Sequence, residues 1–143
     1  MRVLLAVAAI LGGCATVQPP APVSEPAQAP VPASVTGSAA VASLVASARA
    51  DTGAGRLVQA SASLERALRI EPRNPHLWQE LARVRLQQGD YAQAESVAAR
   101  SNSWAGSDSR LRAENWRLIA QAREARGDTA GARAALEAAD RQR

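Results

Sequence analysis

Two side chains could in principle carry covalent or acid–base chemistry: the thiol of Cys14 and the imidazole of His76, each the sole residue of its type. Nucleophilic catalysis needs a thiol or hydroxyl held against a base that a third group orients, and the sequence offers no such grouping. His76 directly follows Asn74-Pro75, a helix-start signal, which places it on a first helical turn facing solvent. No Cys/His cluster has metal-ligand spacing, and no glycine-rich loop follows a strand. Glu80, Glu114 and Glu124 fall along helix faces as ordinary solvated partners for arginine. The positive charge rests on 17 arginines, with no lysine, against 13 acids, for a net charge of +4. The signs are interleaved and aromatics make up only 3% of the chain, a poor match to a nucleic-acid surface. The expectation is a protein that is not an enzyme and has no cofactor, metal, small-molecule substrate or nucleic-acid partner. Arginine is, however, enriched where proteins recognise proteins.

The setting of Cys14 gives the thiol a different use. Arg2 is followed by an apolar run from Val3 to Leu11, then by Gly12-Gly13-Cys14. A basic start, a short apolar stretch and small residues match an export signal, and the run is too short to span a bilayer. Leu11-Gly12-Gly13-Cys14 resembles the lipobox of bacterial lipoproteins. That resemblance implies that residues 1–13 are a signal peptide, removed by cleavage before Cys14, and that Cys14 is acylated. Several acyl chains together hold a protein firmly to a membrane, where one binds marginally. Ala15, rather than Asp, follows the cysteine, which by the same resemblance implies the outer membrane, with the protein facing the periplasm.

From Ala15 to about Ser38 the composition changes. Six of the eight prolines fall here, Pro19, Pro20, Pro22, Pro26, Pro30 and Pro32, and Glu25 is the only charge. Such density blocks helix and sheet and favours extended, polyproline-like chain. At about 3.1 Å per residue, this disordered tether would reach roughly 70 Å. No arginine or lysine flanks the prolines to orient them as a ligand.

Residues 39–143 then read as one small all-α domain, rich in the strong helix formers Ala, Leu, Arg, Glu and Gln and without phenylalanine. Gly55, Gly89 and Gly127 each end one helical pattern and precede another, 34 and 38 residues apart. Asp90 and Asp128, behind the second and third glycine, are expected to cap the helices that follow. The flanks repeat too: Leu44-x2-Ser47-Ala48, Trp78-x2-Leu81-Ala82 and Trp116-x2-Ile119-Ala120 before the glycines, and Ala60-x3-Leu64, Ala94-x3-Ala98 and Ala132-x3-Leu136 after them. Ala48, Ala82 and Ala120 would let paired helices approach closely, with Trp78, Leu81, Leu64 and Leu136 filling the space between.

This pattern resembles the tetratricopeptide repeat. It implies three helix-turn-helix repeats, about 41–74, 75–108 and 109–143, stacked as a short α-solenoid. Ser47, Asp51, Arg85 and Ser101 depart from the family pattern. Residues 101–108 are expected to form a loop holding the four extra residues of the longer spacing, with Ser107 or Asp108 capping the next helix and Leu111 and the residues after it giving that helix an extra turn. Trp104 is then either packed beneath that loop or exposed as a contact. Repeats of this family bind partners in a groove lined by the first helix of each pair. Here those inward positions are Arg49, then Gln79, Arg83 and Leu86, then Arg117, Gln121 and Glu124. The lysine and asparagine clamp of chaperone-binding members is absent, since Val45, Glu80, Glu114 and Leu118 stand at its places. Repeat arrays often close with an extra polar helix. The last helix here, about 129–140, is expected to close the chain with Leu136 and its alanines half covered, a face that small side chains make tolerable or that docks onto a partner.

The order of lipobox, proline tether and short repeat domain resembles the LpoP-type lipoprotein activators of class A penicillin-binding proteins. The carrying residues are Leu11 to Cys14, the tether, and Asn74-Pro75-His76-Leu77-Trp78 through Ala99-Arg100-Ser101-Asn102, with the helix around Asn115-Trp116. The resemblance implies a periplasmic protein partner, a peptidoglycan synthase, and stimulation of its glycan polymerisation or crosslinking. The alternative is a repeat scaffold for another envelope assembly, such as the type IV pilus or outer-membrane protein assembly. Such lipoproteins usually carry five or six repeats.

Overall fold

A computed structural model describes residues 33–142, with side chains placed from residue 38 onward. Six helices follow one another: α1 Ala33–Gly53, α2 Leu57–Ile70, α3 Pro75–Gln87, α4 Tyr91–Trp104, α5 Ser109–Ala125 and α6 Thr129–Asp140. Among the described residues there is no strand. The helices form three antiparallel pairs, and each pair stacks on the one before it, α3 against α2 and α5 against α4. Cys14 and most of the proline-rich stretch lie outside the described residues. α1 begins at Ala33, directly behind Pro32, rather than after Ser38. Proline disfavours helix for the residue before it but not for those after it, so a helix can start as soon as the prolines stop.

The turn within each pair is the same structure built three times. Gly55, Gly89 and Gly127 have φ of 73°, 81° and 81°, the left-handed region that glycine alone enters without strain. The amide after each glycine reaches back five residues, as Arg56 N to Asp51 O, Asp90 N to Arg85 O and Asp128 N to Arg123 O, at 2.8, 2.9 and 2.9 Å. These are Schellman closures, which satisfy carbonyls that the end of a helix would otherwise leave bare. Caps at the next helix are less uniform. Asn74, Asp108 and Asp128 accept from His76 N, Leu111 N and Gly131 N, respectively. Asp90 makes no side-chain cap; its carboxylate lies 3.5 Å from Arg85 instead.

The connection between pairs corrects one expectation. α4 continues through Trp104, so the loop is only residues 105–108, as short as the 71–74 loop between the first two pairs. The four extra residues are a turn of helix: α5 has 17 residues where α3 has 13. Ser101 and Asn102 read as loop formers because of their types, but their side chains are engaged with α5, and the Ser103 hydroxyl bonds back to Arg100 O. Helix therefore persists at Ser101 and Asn102, whose side chains find partners on α5, and at Ser103, whose hydroxyl bonds a carbonyl of its own helix.

The core lies in two clusters, one per junction. Val41, Ala48, Leu64, Leu77, Leu81 and Val84 fill the first, between the first pair and α3. Ala82, Ala98, Leu118, Ile119, Ala120 and Ala135 fill the second. The second is built from smaller side chains, and it contains something the first does not. Asn115 of α5 is 0% exposed. Its amide donates to Ser101 Oγ at 2.7 Å and to Asn102 Oδ1 at 3.0 Å, while its oxygen accepts from Gln79 Nε2 at 3.1 Å. Ser101 Oγ in turn donates to the carbonyl of Pro75 at 2.7 Å. One side chain thus joins α3, α4 and α5, with its polar atoms satisfied, as burial demands.

Removing that amide should leave the hydroxyl of Ser101 and the amide of Gln79 short of partners inside the core. Asn115→Ala is expected to cost about 2–3 kcal/mol and lower Tm by about 10–20 °C in thermal unfolding followed by circular dichroism. Ser103→Ala, on the exposed side of α4, should shift Tm by no more than about 3 °C.

Candidate partner-binding groove

The first helices of the three pairs, α1, α3 and α5, carry the residues expected to line a groove, but the structure divides them into two groups. Arg49, Gln79 and Arg83 belong to a network running from repeat to repeat. Arg49 Nη2 lies 3.2 Å from Glu80 Oε1. Arg83 lies 3.1 Å from Glu114 and 3.9 Å from Glu80. Gln79 donates to Glu114 Oε2 at 3.3 Å as well as to Asn115. Arg110 closes the row against the other oxygen of Glu114 at 3.4 Å. Arg49 and Arg83 are exposed enough to touch a partner, but each is already neutralised. Gln79, 5% exposed, is a structural residue and not a groove contact. Leu86 is half-buried against the second core cluster, so it too is largely committed to packing.

Glu80 and Glu114, read from the sequence as ordinary solvated carboxylates, are the acids that make this row. Each sits between two or more arginine groups and is only partly exposed. Exposed pairs of this kind contribute little stability one at a time. Here they fix how one repeat's first helix lies on the next. A second row runs on the other side of the solenoid. Arg85 Nη2 meets Glu65 Oε1 at 2.6 Å, and Arg123 Nη2 meets Glu95 Oε1 at 2.6 Å. Arg85 and Arg123 stand at the same place, four residues before their turn glycines. Each ties a first helix to the second helix of the preceding repeat. The departure from the family pattern at Arg85 therefore has a purpose.

Arg117, Gln121 and Glu124 form the second group. With Ala120, Ala125, Ala132 and Leu136 they line an open cleft of about 540 Å³ between α5 and α6. Arg117 has no ion-pair or hydrogen-bond partner among the described residues. It lines the cleft with the apolar Ala120, Ala125, Ala132 and Leu136. Leu136 does not fill space between helices as the repeat pattern implies; it is 49% exposed, half covered as expected for the last helix, while its counterpart in the first repeat, Leu64, is 2% exposed. The reason is position: α3 covers Leu64, and no described helix follows α6. The alanines of α6 fare differently from expectation as well, since Ala132, Ala135, Ala138 and Ala139 are all buried. Leu136 is left half open, and Ala130 and Ala134 are exposed.

Two tryptophans lie away from the groove. Trp104 ends α4 at 39% exposure, with the Arg73 guanidinium 5.4 Å from its ring centre. It is thus exposed at a helix end and not packed beneath a loop. Trp78 donates its indole N–H to Pro72 O at 2.9 Å, and Arg100 covers its face at 5.2 Å. His76 is exposed on the first turn of α3, where it was expected. Among the described residues no group of three or more His, Cys, Asp or Glu is placed to hold a metal ion. None of their helices is long and apolar enough to cross a membrane.

Comparison with known proteins agrees with this build. Residues 52–114 match the family described as tetratricopeptide repeat. No curated protein matches the chain. Among solved structures, the globular C-terminal domain of P. aeruginosa LpoP is similar over 70% of this chain and 94% of that one, with 51% identity and a TM-score of 0.69. Similarity of that extent covers nearly the whole of the other domain, so it speaks for common descent as well as a shared helical stack. The chain belongs to the tetratricopeptide-repeat family, as an LpoP-like member whose domain is of the protein-interaction class.

Proposed function

We propose that the protein is an outer-membrane lipoprotein, anchored through Cys14 and facing the periplasm, whose repeat domain binds and activates a class A penicillin-binding protein. The observation that carries this reading is the 51% identity to the LpoP C-terminal domain over 94% of its length, in a chain that opens with a lipobox. Scaffold residues alone would not sustain identity at that level, because a repeat fold tolerates wide sequence change while keeping its shape. Identity at that level exceeds what a shared repeat shape requires, which favours a shared partner. The proline-rich stretch would carry the domain away from the membrane toward the cell wall, where the synthase works.

The domain's role in this reading is mechanical. It offers a preformed, rigid surface, and it acts on the synthase by binding one of that enzyme's conformations more tightly than another. Nothing in the domain takes part in the glycosyl transfer itself. Because Arg49 and Arg83 are held by Glu80 and Glu114, the groove arginine left without an acid partner is Arg117.

Two measurements test the proposal. Adding residues 15–143 to a purified class A synthase with lipid-linked disaccharide-pentapeptide should raise the rate of glycan formation about threefold or more, a change in effective barrier under 1 kcal/mol. Arg117→Glu should reduce that stimulation, with the domain's melting curve unchanged. An unaltered rate, with capture of pilus or barrel-assembly proteins in place of a synthase, would overturn the reading. The anchor is tested separately. Cys14→Ser should abolish incorporation of labelled palmitate and leave an uncleaved precursor on gels, whereas labelling that persists would remove Cys14 from its role.

A further inference from the structure

The exposed Leu136 and its neighbours lie in register with a surface that, twice in the same molecule, already holds a helix. Shifting the first repeat by 72 residues places Ala60 on Ala132, Leu64 on Leu136 and Glu65 on Glu137. In the first repeat, Leu64 packs in one cluster with Leu77, Leu81 and Val84 of α3, and Glu65 holds Arg85 of the same helix. In the third repeat the equivalent leucine is half open, and Glu137 is exposed with no side-chain partner among the described residues. Arg117 stands where Gln79 stands in the second repeat, and Gln79 bonds Glu114 of the next first helix. The cleft thus repeats the seat that α3 and α5 occupy, with its two polar contacts unfilled.

We infer that the α5–α6 face is a docking slot for one amphipathic helix of a partner protein. That helix carries apolar residues at i, i+4 and i+7, an acid at i+3 and an arginine at i+8. This is the pattern of α3, in Leu77, Glu80, Leu81, Val84 and Arg85. The first part recurs in α5, where Glu114 follows Leu111 by the same three residues. The arginine would meet Glu137, as Arg85 meets Glu65, and the acid, whose counterpart Glu80 meets Arg49, would face Gln121 with Arg117 one turn before it, so the polar contacts fix the direction of the incoming helix as well as its register.

Neither α1 of a second copy nor residues 15–32 fits the slot. In a head-to-tail copy, α1 would present Ser43, Ser47, Ala50 and Asp51 at the places of Leu77, Leu81, Val84 and Arg85. Those residues bury little apolar surface and set Asp51 against Glu137. Asp51 is moreover already paired with Arg56 at 2.6 Å. Residues 15–32 contain neither leucine nor arginine, and so supply neither the stripe nor the base. The occupant is a foreign helix. The inference concerns the pattern that helix must carry, and it does not rest on the partner being a synthase.

The test uses residues 15–143 and, as probe, a helix-stapled peptide copying residues 75–88 of this protein. Binding is followed by fluorescence anisotropy and located by amide chemical shifts. The expected result is saturable binding with shifts clustered over residues 117–137. Leu136→Glu should weaken it about tenfold, the loss of one buried leucine. Glu137→Arg should weaken it about threefold, and a peptide with Arg85→Glu should recover that loss. Circular dichroism confirms that both variants remain folded. Absence of binding overturns the inference, as does binding indifferent to both substitutions. Shifts centred on Leu64 and Glu65 overturn it too, because the peptide would then be displacing α3. A concentration-dependent dimer abolished by Leu136→Glu would assign the face to a second copy instead.

Discussion

One buried amide determines how the second and third repeats meet. Asn115 has no exposed surface, yet every polar atom of its side chain is bonded, to Gln79 on α3 and to Ser101 and Asn102 on α4. An apolar side chain in that position could pack at several angles at nearly equal cost, because apolar contact has little direction. A carboxamide cannot. Its bonds to two helices are directional, and leaving either unmade would strand a buried polar atom. The second core cluster is built largely of alanine and would by itself specify orientation weakly. The polar node supplies what the small side chains lack, and the placement of α5, with Arg117 and the cleft it lines, follows from it.

Beyond that node the domain is an asymmetric stack. Each first helix lies over the second helix of the repeat before it, with leucine, valine and alanine between them and an arginine on a carboxylate at the rim. The contact has a donor side and an acceptor side that differ in sequence. At its start, α1 turns serine and alanine outward, so little is lost by leaving that side in water. At its other end, α6 turns outward a leucine and an unpaired acid. A stack whose two ends are unlike does not propagate by adding copies of itself. It ends in a polar face on one side and remains receptive on the other.

How far the sequence discloses this depends on whether a residue's surroundings repeat. The turn glycines, Leu64, Leu81 and the paired alanines were legible because each repeat gives them the same neighbours, and periodicity reports that directly. Leu136 has the repeat's residue without a described next helix, so the repeat pattern alone overstates its burial while its place on the last helix indicates half cover. Gln79 was assigned to the groove from its helical phase alone. Its burial depends on Asn115, which lies 36 positions away, and no local pattern carries that fact. One signal was nonetheless available: Gln79, Ser101 and Asn115 are three uncharged polar residues at positions that the register assigns to the interior, and buried polar groups occur in bonded sets. Glu80 and Glu114 were similarly read by residue type, as solvated acids, where the stacking of α1, α3 and α5 makes them the links between repeats. As for Cys14 and its signal, they are legible only in sequence, since they lie outside the described residues.

The distribution of charge bears on what kind of partner the domain can accept. A groove of free arginines would attract any acidic chain, and its affinity would fall steeply as salt screens it. Here the concave arginines Arg49 and Arg83 are matched by Glu80 and Glu114, so the face is polar but nearly neutral. A partner gains little by contributing a carboxylate there, because it would have to displace one already in place. Arg117, which lines the cleft with the exposed Leu136, is the groove arginine without an acid partner among the described residues. Selectivity therefore resides where apolar surface and unpaired charge coincide, at the end of the stack. Long-range attraction is weak for such a surface, and recognition depends on fit at contact. That would suit the membrane-anchored adaptor proposed above, whose anchor would supply local concentration so that the domain need only choose correctly among neighbours.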